Sequence, residues 1–393
     1  MSVKTGAVEV PDRRLRVGIV GLHAGRSWAF LAHLPALRAL ANLFEIVGVA
    51  NTTRASSEAA ASAAGLPRAF GSVAELVSSP DVDIVTVTVK VPHHFELVKA
   101  ALEAGKHVYC EWPLGNGLAQ AEELAALARK KGVLGVAGTQ ARAAPEIGYL
   151  RKLIADGFVG DVLSTTMTAW AREWGASIDN ADVYGYTLDK ANGATMLTIP
   201  IGHTLAALRD VLGDIGELSA VVANRRPEVR SLDTGQTVPK TAADQVLVSA
   251  LLASGAPLSL HYRGGAPRSG VGFTWEINGT EGDIRVTGPS GHTQLVPLTL
   301  EGGRGDDQAF RALAAPDAYR EGVPVQDVVP GNVGRVYVRM AADLRRGTRT
   351  APSFDDAVDL HRLLETIEAA AVTGARASVM TSSNGAPTRG QRE

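Results

Sequence analysis

Cysteine is almost absent from this sequence of 393 residues, in which Cys110 is the single example. One cysteine excludes disulfide bonds and cysteine-based metal sites within one chain, so we expect Cys110 to be a small buried residue. The chain also lacks any stretch of about 18 consecutive apolar residues, the length that spans a membrane. Residues 1–14 carry scattered charges without the apolar core of a signal peptide, which predicts a cytoplasmic protein.

The chain also has no large excess of positive or negative charge, because 39 basic residues are balanced by 41 acidic ones and the net charge is −2. No run of lysine or arginine forms a basic stripe, so we expect neither a nucleic-acid partner nor binding to an anionic membrane. The histidines are scattered, and the adjacent His93 and His94 would point apart in a strand or a helix, so no metal site is predicted. The G-x-S-x-G elbow of serine hydrolases is also missing.

The sequence does contain enough apolar residues, 45% of the total, to bury a full core. From Leu15 to about Gly138, short β-branched runs alternate with helical stretches, a pattern typical of parallel strands joined by crossover helices. Beyond Arg142, strand-like segments separated by turns predict a mostly antiparallel sheet. Two later stretches, Val333–Arg346 and Phe354–Ala371, predict helices that cover one face or return to the first domain.

The expected fold class is therefore α/β, with a doubly wound parallel Rossmann sheet followed by an α+β domain that has a large, mostly antiparallel open sheet. We predict the first domain at residues 13–140 and the second at residues 141–375. Residues 1–12 and 376–393 are rich in Ser, Gly, Pro and Arg, and we expect both to be flexible tails.

A glycine turn follows the first apolar run and is the strongest functional signal in the chain. Gly18, Gly21 and Gly25 allow a tight turn and a close approach to phosphate oxygens, and the next helix presents free N–H groups. The G-x-G-x-x-G fingerprint starts at Gly21, but His23 and Arg26 replace its other two glycines. The alternative is a turn that carries glycine for steric reasons alone. The residues predicted to bind the cofactor here are Gly21, Leu22, His23, Gly25, Arg26, Ser27 and Trp28.

The end of the second predicted strand carries no carboxylate, which NAD-preferring sites commonly place there for the ribose hydroxyls. Instead Asn51, Thr52, Thr53 and Arg54 follow the strand, and this set would tolerate or attract a 2′-phosphate. These residues are therefore predicted to bind the cofactor, with NADP favoured over NAD. The alternative is that they only cap the next helix and add a solvated charge.

The order of elements, with GKHVYCEWPL at residues 105–114 and NGTEG at residues 278–282, resembles the glucose-fructose oxidoreductase, inositol dehydrogenase and MocA family. The resemblance covers about residues 14–376. It implies a Rossmann domain, a C-terminal domain whose open sheet often makes the oligomer interface, and NAD(P)-linked oxidation or reduction of sugars and related molecules. We accordingly expect NADP or NAD, a sugar-like small-molecule substrate, and a homodimer or homotetramer.

Two positions depart from the family pattern. Members usually carry a lysine that helps to move the substrate proton where this sequence has Trp112, and an acid four residues before a pocket histidine where Ile199 precedes His203. Both departures look like the subgroup that contains the galactose-gene repressor of yeasts, a cofactor-binding relative that regulates rather than catalyses. Two functions follow, an NAD(P)-dependent oxidoreductase or a non-catalytic NAD(P)-binding sensor that acts through a protein partner.

Hydride transfer needs one group that takes or gives the hydroxyl proton, and three residues are candidates for it. The imidazole of His203 would titrate near neutrality on the same helical face as Ile199, or would be a packing residue. The ammonium of Lys90 would lie at the carboxyl end of a strand, or in a solvated loop. Tyr184 could relay a proton from a loop.

The remaining candidates contact the cofactor or the substrate. The Trp112 indole suits stacking on a ring, but it cannot exchange protons near neutrality. The Glu111 carboxylate would accept from ribose or carboxamide groups, or would cap the next helix, and His94 matches a histidine common in the family. With these, the predicted cofactor-binding set extends to Val89, Lys90, His94, Glu111, Trp112 and Pro113. The predicted substrate-binding residues are Trp112, Arg142, Tyr184, Tyr186 and His203.

Overall fold

Two sheets dominate the computed structural model, which describes residues 13–380. The first is a five-stranded parallel sheet, and the second has nine strands and is mostly antiparallel. This arrangement confirms the expected fold class, while the domain boundaries stay a prediction. The expected tail at residues 1–12 and residues 381–393 of the other lie outside the described residues.

The parallel sheet aligns the carboxyl ends of its strands at one edge. The strands are β1 (Leu15–Val20), β2 (Phe44–Ala50), β3 (Ile84–Val87), β4 (His107–Glu111) and β5 (Gly135–Gly138). They lie in the order β2-β1-β3-β4-β5, and β1 and β3 are buried along almost their whole length, as helices on both faces require. Val20 pairs with both Ala50 and Val87, so the segments that follow these strands emerge side by side.

Helices connect these strands. They are α1 (Leu34–Ala39), α2 (Arg54–Ala63), α3 (Val73–Ser78), α4 (His94–Glu103) and α5 (Leu118–Lys131). A π-helical turn over Ala29–His33 leads into α1, and a 3₁₀ turn over Val91–His93 leads into α4. Thr53 and Ser72 cap α2 and α3, because each side chain accepts a hydrogen bond from the third backbone N–H of its helix.

The second part of the chain builds the large sheet and a small one. Their strands are β6 (Val162–Ala171), β7 (Ser177–Ile178), β8 (Ile215–Ala223), β9 (Glu228–Ser231), β10 (Thr237–Pro239), β11 (Gln245–Leu252), β12 (Pro257–Gly264), β13 (Phe273–Gly279), β14 (Gly282–Gly288), β15 (Thr299–Arg304), β16 (Arg311–Ala312) and β17 (Ala377–Ser378). The large sheet has the order β16-β15-β14-β13-β6-β12-β11-β8-β17, and β6 and β12 are parallel neighbours within it. The small sheet has the order β10-β9-β7.

The last two helices of this part pack against the Rossmann part. In chain order, the helices are α6 (Pro145–Ala155), α7 (Ala181–Tyr184), α8 (Gly202–Leu212), α9 (Val328–Arg346) and α10 (Phe354–Thr373). Helix α9 packs on α1, and α10 packs on α5 and β8, so the two C-terminal helices join both parts of the molecule. No helix within residues 13–380 is both long and apolar enough to cross a bilayer.

Two smaller expectations have clear outcomes. The prediction of a flexible tail from residue 376 is wrong for Ala377–Ser378, because this strand pairs with Leu218 and Glu217 and satisfies the open edge of β8. The prediction for Cys110 is confirmed. It is a buried free thiol at the end of β4, and burial raises its pKa well above the usual value.

Candidate functional site

The glycine turn lies at the carboxyl edge of the Rossmann sheet, directly after β1. Gly21 has φ +95°, and a Cβ there would lie 2.5 Å from Val89 Cγ1, so the turn packs on the segment after β3. Gly25 has φ +81° with no atom within 4 Å of an ideal Cβ. The first glycine is therefore required by packing, whereas the second leaves open space beside the backbone.

The turn is ordered by its own side chains. The Ser27 hydroxyl accepts a hydrogen bond of 2.8 Å from His23 N, and His23 O accepts from Ser27 N at 3.1 Å. The Trp28 indole N–H is buried with no hydrogen-bond partner in the described part of the chain. The open space at Gly25 fits a dinucleotide diphosphate.

Two of the four residues after β2, which were predicted to bind the cofactor, instead make structural hydrogen bonds. Asn51 Oδ1 accepts from Leu22 N at 3.0 Å, and its amide donates to Leu22 O at 2.8 Å, so this side chain braces the glycine turn. Thr53 caps α2, as the alternative interpretation has it. Thr52 and Arg54 remain exposed, and the Arg54 guanidinium lies 3.4 Å from the Glu75 carboxylate.

Lys90 follows β3 and reaches across to the second part of the chain. Its Nζ lies 4.8 Å from the centroid of the Tyr186 ring, a cation–π contact. Burial raises the pKa of the Tyr186 phenol, and Tyr184 adds to the effect. Tyr184 itself is 45% exposed at the end of α7. The structure thus brings Lys90 and Tyr186 together and leaves Tyr184 nearer to solvent.

Glu111 lies at the end of β4 but is directed into the protein. Its carboxylate accepts from His33 Nε2 at 2.8 Å and from the Gln140 amide at 2.7 and 2.8 Å. His33 Nδ1 in turn contacts the Tyr337 hydroxyl at 2.9 Å. The expectation of a ribose contact or a helix cap is corrected, because the carboxylate is buried in this network and Gly117 caps α5.

Trp112 and His94 are packing residues. The Trp112 indole N–H donates to Thr198 O at 2.6 Å, and the indole ring packs on His361 with the ring centroids 4.6 Å apart. The indole is buried by these contacts, contrary to the expectation that it stacks on a ligand ring. Both ring nitrogens of His94 contact backbone carbonyls, those of Val89 and Pro113. These contacts hold the segment after β3 against the cis Trp112–Pro113 peptide.

The structure changes the interpretation of His203. The side chain lies in the first turn of α8, is buried, and its Nδ1 has no hydrogen-bond partner in the described residues. Burial, with a smaller contribution from His292, lowers the pKa to about 3. The imidazole is therefore neutral at pH 7, and the prediction that it titrates near neutrality is wrong.

Arg142 is also placed differently from the prediction. Its guanidinium donates two hydrogen bonds of 2.7 Å to Asp210 and lies 3.4 Å from Asp356. The pair of carboxylates holds it between α8 and α10, so it is a structural ion pair instead of a substrate contact.

Comparison with known proteins places this geometry in a family. Residues 15–139 match the model for an oxidoreductase family with an NAD-binding Rossmann fold, and residues 145–288 match the C-terminal domain of Gal80p. The chain is 33% identical over 306 residues to dehydrogenase aclE of Aspergillus oryzae, covering 74% of this chain and 81% of that relative. The chain belongs to this oxidoreductase family.

Other family members differ in what they do. The chain is 30% identical over 319 residues to the galactose/lactose metabolism regulatory protein GAL80 of Kluyveromyces lactis, covering 74% of this chain and 68% of that one. A super-repressor mutant of Gal80p from Saccharomyces cerevisiae has a TM-score of 0.84 at 26% identity, over 93% of this chain and 98% of that one. Levoglucosan dehydrogenase in complex with NADH and L-sorbose shares the fold, with a TM-score of 0.81 at 22% identity over 93% and 99% of the two chains.

Several residues that hold polar side chains of the site were not predicted from the sequence. His33 and Gln140 hold Glu111, and Glu173 contacts His292 beside His203. Their partners lie between 29 and 119 positions away in the chain, so no local spacing signals them. A lone polar residue in an apolar helix, such as His33, is the one signal that the sequence offered.

Proposed function

We propose that the chain is an NAD(P)-dependent oxidoreductase that transfers hydride between nicotinamide and a sugar-like or other small polar cyclic substrate. One observation supports this best. The open glycine turn lies beside the Lys90–Tyr186 contact at the carboxyl edge of the Rossmann sheet. Ligands of such sheets bind at this edge, so a cofactor group and a proton-handling group would meet there.

Cofactor binding and proton transfer depend on different residues of the chain. Backbone N–H groups around Gly25 hold the diphosphate, and the exposed Lys90 provides positive charge near the nicotinamide end. When bound, nicotinamide gives or accepts the hydride. The hydroxyl of Tyr186, whose ring lies under the Lys90 ammonium, donates or accepts the proton of the substrate oxygen. His203 is neutral and serves as a hydrogen-bonding group at the substrate.

The decisive experiment measures turnover. Purified protein with NADP or NAD is incubated with sugars, sugar acids and inositols while absorbance of the reduced nicotinamide is followed. We expect Lys90→Met to lower turnover at least about tenfold, because the cationic group leaves the site. Lys99→Met is the matched control, since Lys99 makes a similar contact with Phe95 at 5.3 Å on the surface of α4. Equal losses in both variants would refute the role of Lys90.

Cofactor binding is tested separately from turnover. Gly25→Ala places a methyl group in the open space of the turn, so we expect at least about tenfold weaker binding of both cofactors by calorimetry. Gly105→Ala is the control, because Gly105 has φ +73° and equally open surroundings in the loop before β4. Unchanged affinity in Gly25→Ala contradicts a diphosphate at this turn.

A regulator that binds NAD(P) and acts through a protein partner is the second candidate. It is favoured by Trp112 and Ile199, which replace the two proton-handling residues of the family, and by the closed Trp112–Thr198 contact and the low pKa of His203. The GAL80 relatives bear the name of regulatory proteins. Tight binding of NADP or NAD without turnover on any substrate of the series favours this candidate over the enzyme.

A further inference from the structure

A carboxylate–imidazole pair lies in the second part of the chain and has no role so far. Glu173 belongs to the 3₁₀ turn Arg172–Trp174 after β6, and His292 lies in the loop after β14. Glu173 Oε2 and His292 Nε2 are 2.8 Å apart. The Trp174 ring stacks on the imidazole at 5.9 Å with an interplanar angle of 18°, which fixes the plane of the ring.

The surroundings of His292 set the direction of its hydrogen bonds. The Gln294 amide lies 3.3 Å from His292 Nδ1 and donates to it, so the ring proton is on Nε2 and is donated to Glu173. Asn332 of α9 donates to Gln294 O at 3.0 Å. The imidazole is thus held from both sides and presents the carboxylate in one orientation.

The pair is connected to the segments that carry His203 and Tyr186, two residues of the proposed function. The neighbour of His292, Thr293, contacts Thr204 of α8 at 3.3 Å, directly after His203. On the other side, the Trp174 indole N–H donates to Thr187 O at 3.1 Å, directly after Tyr186. These two bonds connect Glu173 and His292, through their neighbours in the chain, to the segments that carry Tyr186 and His203.

The two members of the pair differ in exposure. The Glu173 side chain is 40% exposed, whereas that of His292 is 9% exposed. Burial raises the pKa of Glu173, but the hydrogen bond from His292, a backbone hydrogen bond and the nearby Arg172 guanidinium outweigh burial, so the pKa is lowered and the carboxylate is ionised at neutral pH. A buried imidazole therefore supports a carboxylate whose outer edge is open to a ligand.

We propose that Glu173, held by His292, is the carboxylate that binds ligand hydroxyls and excludes acidic ligands from the proposed substrate site, an inference that rests on the proposed function. An ionised carboxylate accepts strong hydrogen bonds from hydroxyl groups. It also repels a ligand carboxylate in the same space, because two like charges at close range destabilise the complex. Glu173 is thus a specificity residue, and His292 is its positioning residue.

The test compares neutral sugars with the corresponding acids, using glucose with glucuronate and galactose with galacturonate. Calorimetric titration of the full chain, with and without NADP, is expected to show at least about tenfold tighter binding of the neutral sugar of a pair. In Glu173→Gln we expect about tenfold weaker binding of the neutral sugar and loss of the discrimination against the acid. Glu301→Gln is the matched control, since the Glu301 side chain on β15 is 34% exposed and pairs with Arg285 on β14.

Further variants separate position from charge. His292→Gln keeps the charge of Glu173 but loosens it, so neutral sugars bind more weakly while acids stay excluded. If Glu173→Gln fails to fold, Glu173→Asp replaces it and is expected to behave like His292→Gln. The proposal is overturned if the wild-type chain binds no member of the series, if it prefers the acids, or if the Glu173 variants bind like the wild type. Binding as expected without reduction or oxidation of nicotinamide instead rejects the oxidoreductase and leaves the role of Glu173 standing.

Discussion

At the scale of single residues, burial has changed what two histidines can do. His203 Nδ1 and His361 Nε2 are buried without hydrogen-bond partners in residues 13–380. Burial lowers the pKa of His203 to about 3 and that of His361 to about 4. Both rings are neutral at pH 7, and each must be protonated against this penalty when the pH falls.

The lowered pKa values of the two histidines predict that the folded protein loses stability as the pH falls below 6.5. The unfolded chain binds these protons near pH 6.5 and the folded chain does not, so stability is complete above pH 6.5 and falls as the pH decreases. We expect the free energy of unfolding to fall by about 2 kcal/mol per histidine between pH 6.5 and pH 5. In His361→Phe, which keeps a ring against Trp112, this slope should become shallower in urea titrations at each pH. An unchanged slope contradicts the low pKa of His361, and the exposed His93→Gln is the control.

Arg54 decides the proposed preference for NADP at the same scale. Its side chain is 62% exposed and its contact with Glu75 is long, so the guanidinium is available to a 2′-phosphate. Arg54→Ala should weaken NADP binding by about tenfold and leave NAD binding nearly unchanged, as measured by calorimetry. Arg68→Ala, which removes another cation paired with Glu75, should affect neither. Equal losses of NADP and NAD in Arg54→Ala remove the argument for the 2′-phosphate.

At the scale of elements, the start of α8 packs closely on the end of β4. A Cβ at Gly202 would lie 2.6 Å from Trp112 Nε1, and the same indole N–H donates to Thr198 O in the π-helical turn Leu197–Ile201. The site is thus closed where the family usually has its lysine. The position of α8 depends on the absence of a side chain at Gly202.

Gly202→Ala should therefore separate this helix from the strand. The added methyl group overpacks a buried contact, and we expect a loss of about 1 to 3 kcal/mol in the free energy of unfolding, measured with urea. Gly185→Ala is the control, because Gly185 has helical angles and no atom within 4 Å of an ideal Cβ. A loss in Gly185→Ala as large as in Gly202→Ala would contradict the packing argument.

At the scale of the whole molecule, α9 connects the two sheets. Tyr337 of α9 contacts His33 and Thr86 through its hydroxyl, both at 2.9 Å, in the interior of the Rossmann part. Arg335 of the same helix donates to Ala143 O at 2.6 Å. A late segment of the chain thus completes the core of the first sheet, so we expect the two parts to unfold together.

Removal of the Tyr337 hydroxyl tests this connection. Tyr337→Phe leaves two buried polar atoms without this partner, and we expect a loss of about 1 to 3 kcal/mol while calorimetry still shows one unfolding transition. Tyr149→Phe, on a half-buried ring that packs on Tyr319, is expected to cost much less. Two separate transitions in the wild-type protein would contradict the joint unfolding.

The elements were largely predictable because their signals are local. The periodicity that predicted helices at Val333–Arg346 and Phe354–Ala371 corresponds to α9 and α10, and the β-branched runs correspond to the strands of both sheets. The glycine turn after β1 was also predictable, since Gly21 and Gly25 adopt the positive φ that such turns require. The short strand β17 was missed, because two residues gain their structure only from the edge of β8.

The sequence by itself determined the order of strands and helices, the glycine turn and the substitutions at Trp112 and Ile199. Only the tertiary structure decided how the polar side chains are used. It buried Glu111 in a hydrogen-bond network and Arg142 in an ion pair, made His203 neutral, and brought Glu173 to His292. The physical reason is that backbone conformation follows from neighbours in the chain, whereas burial and electrostatic partners depend on residues that only folding brings together.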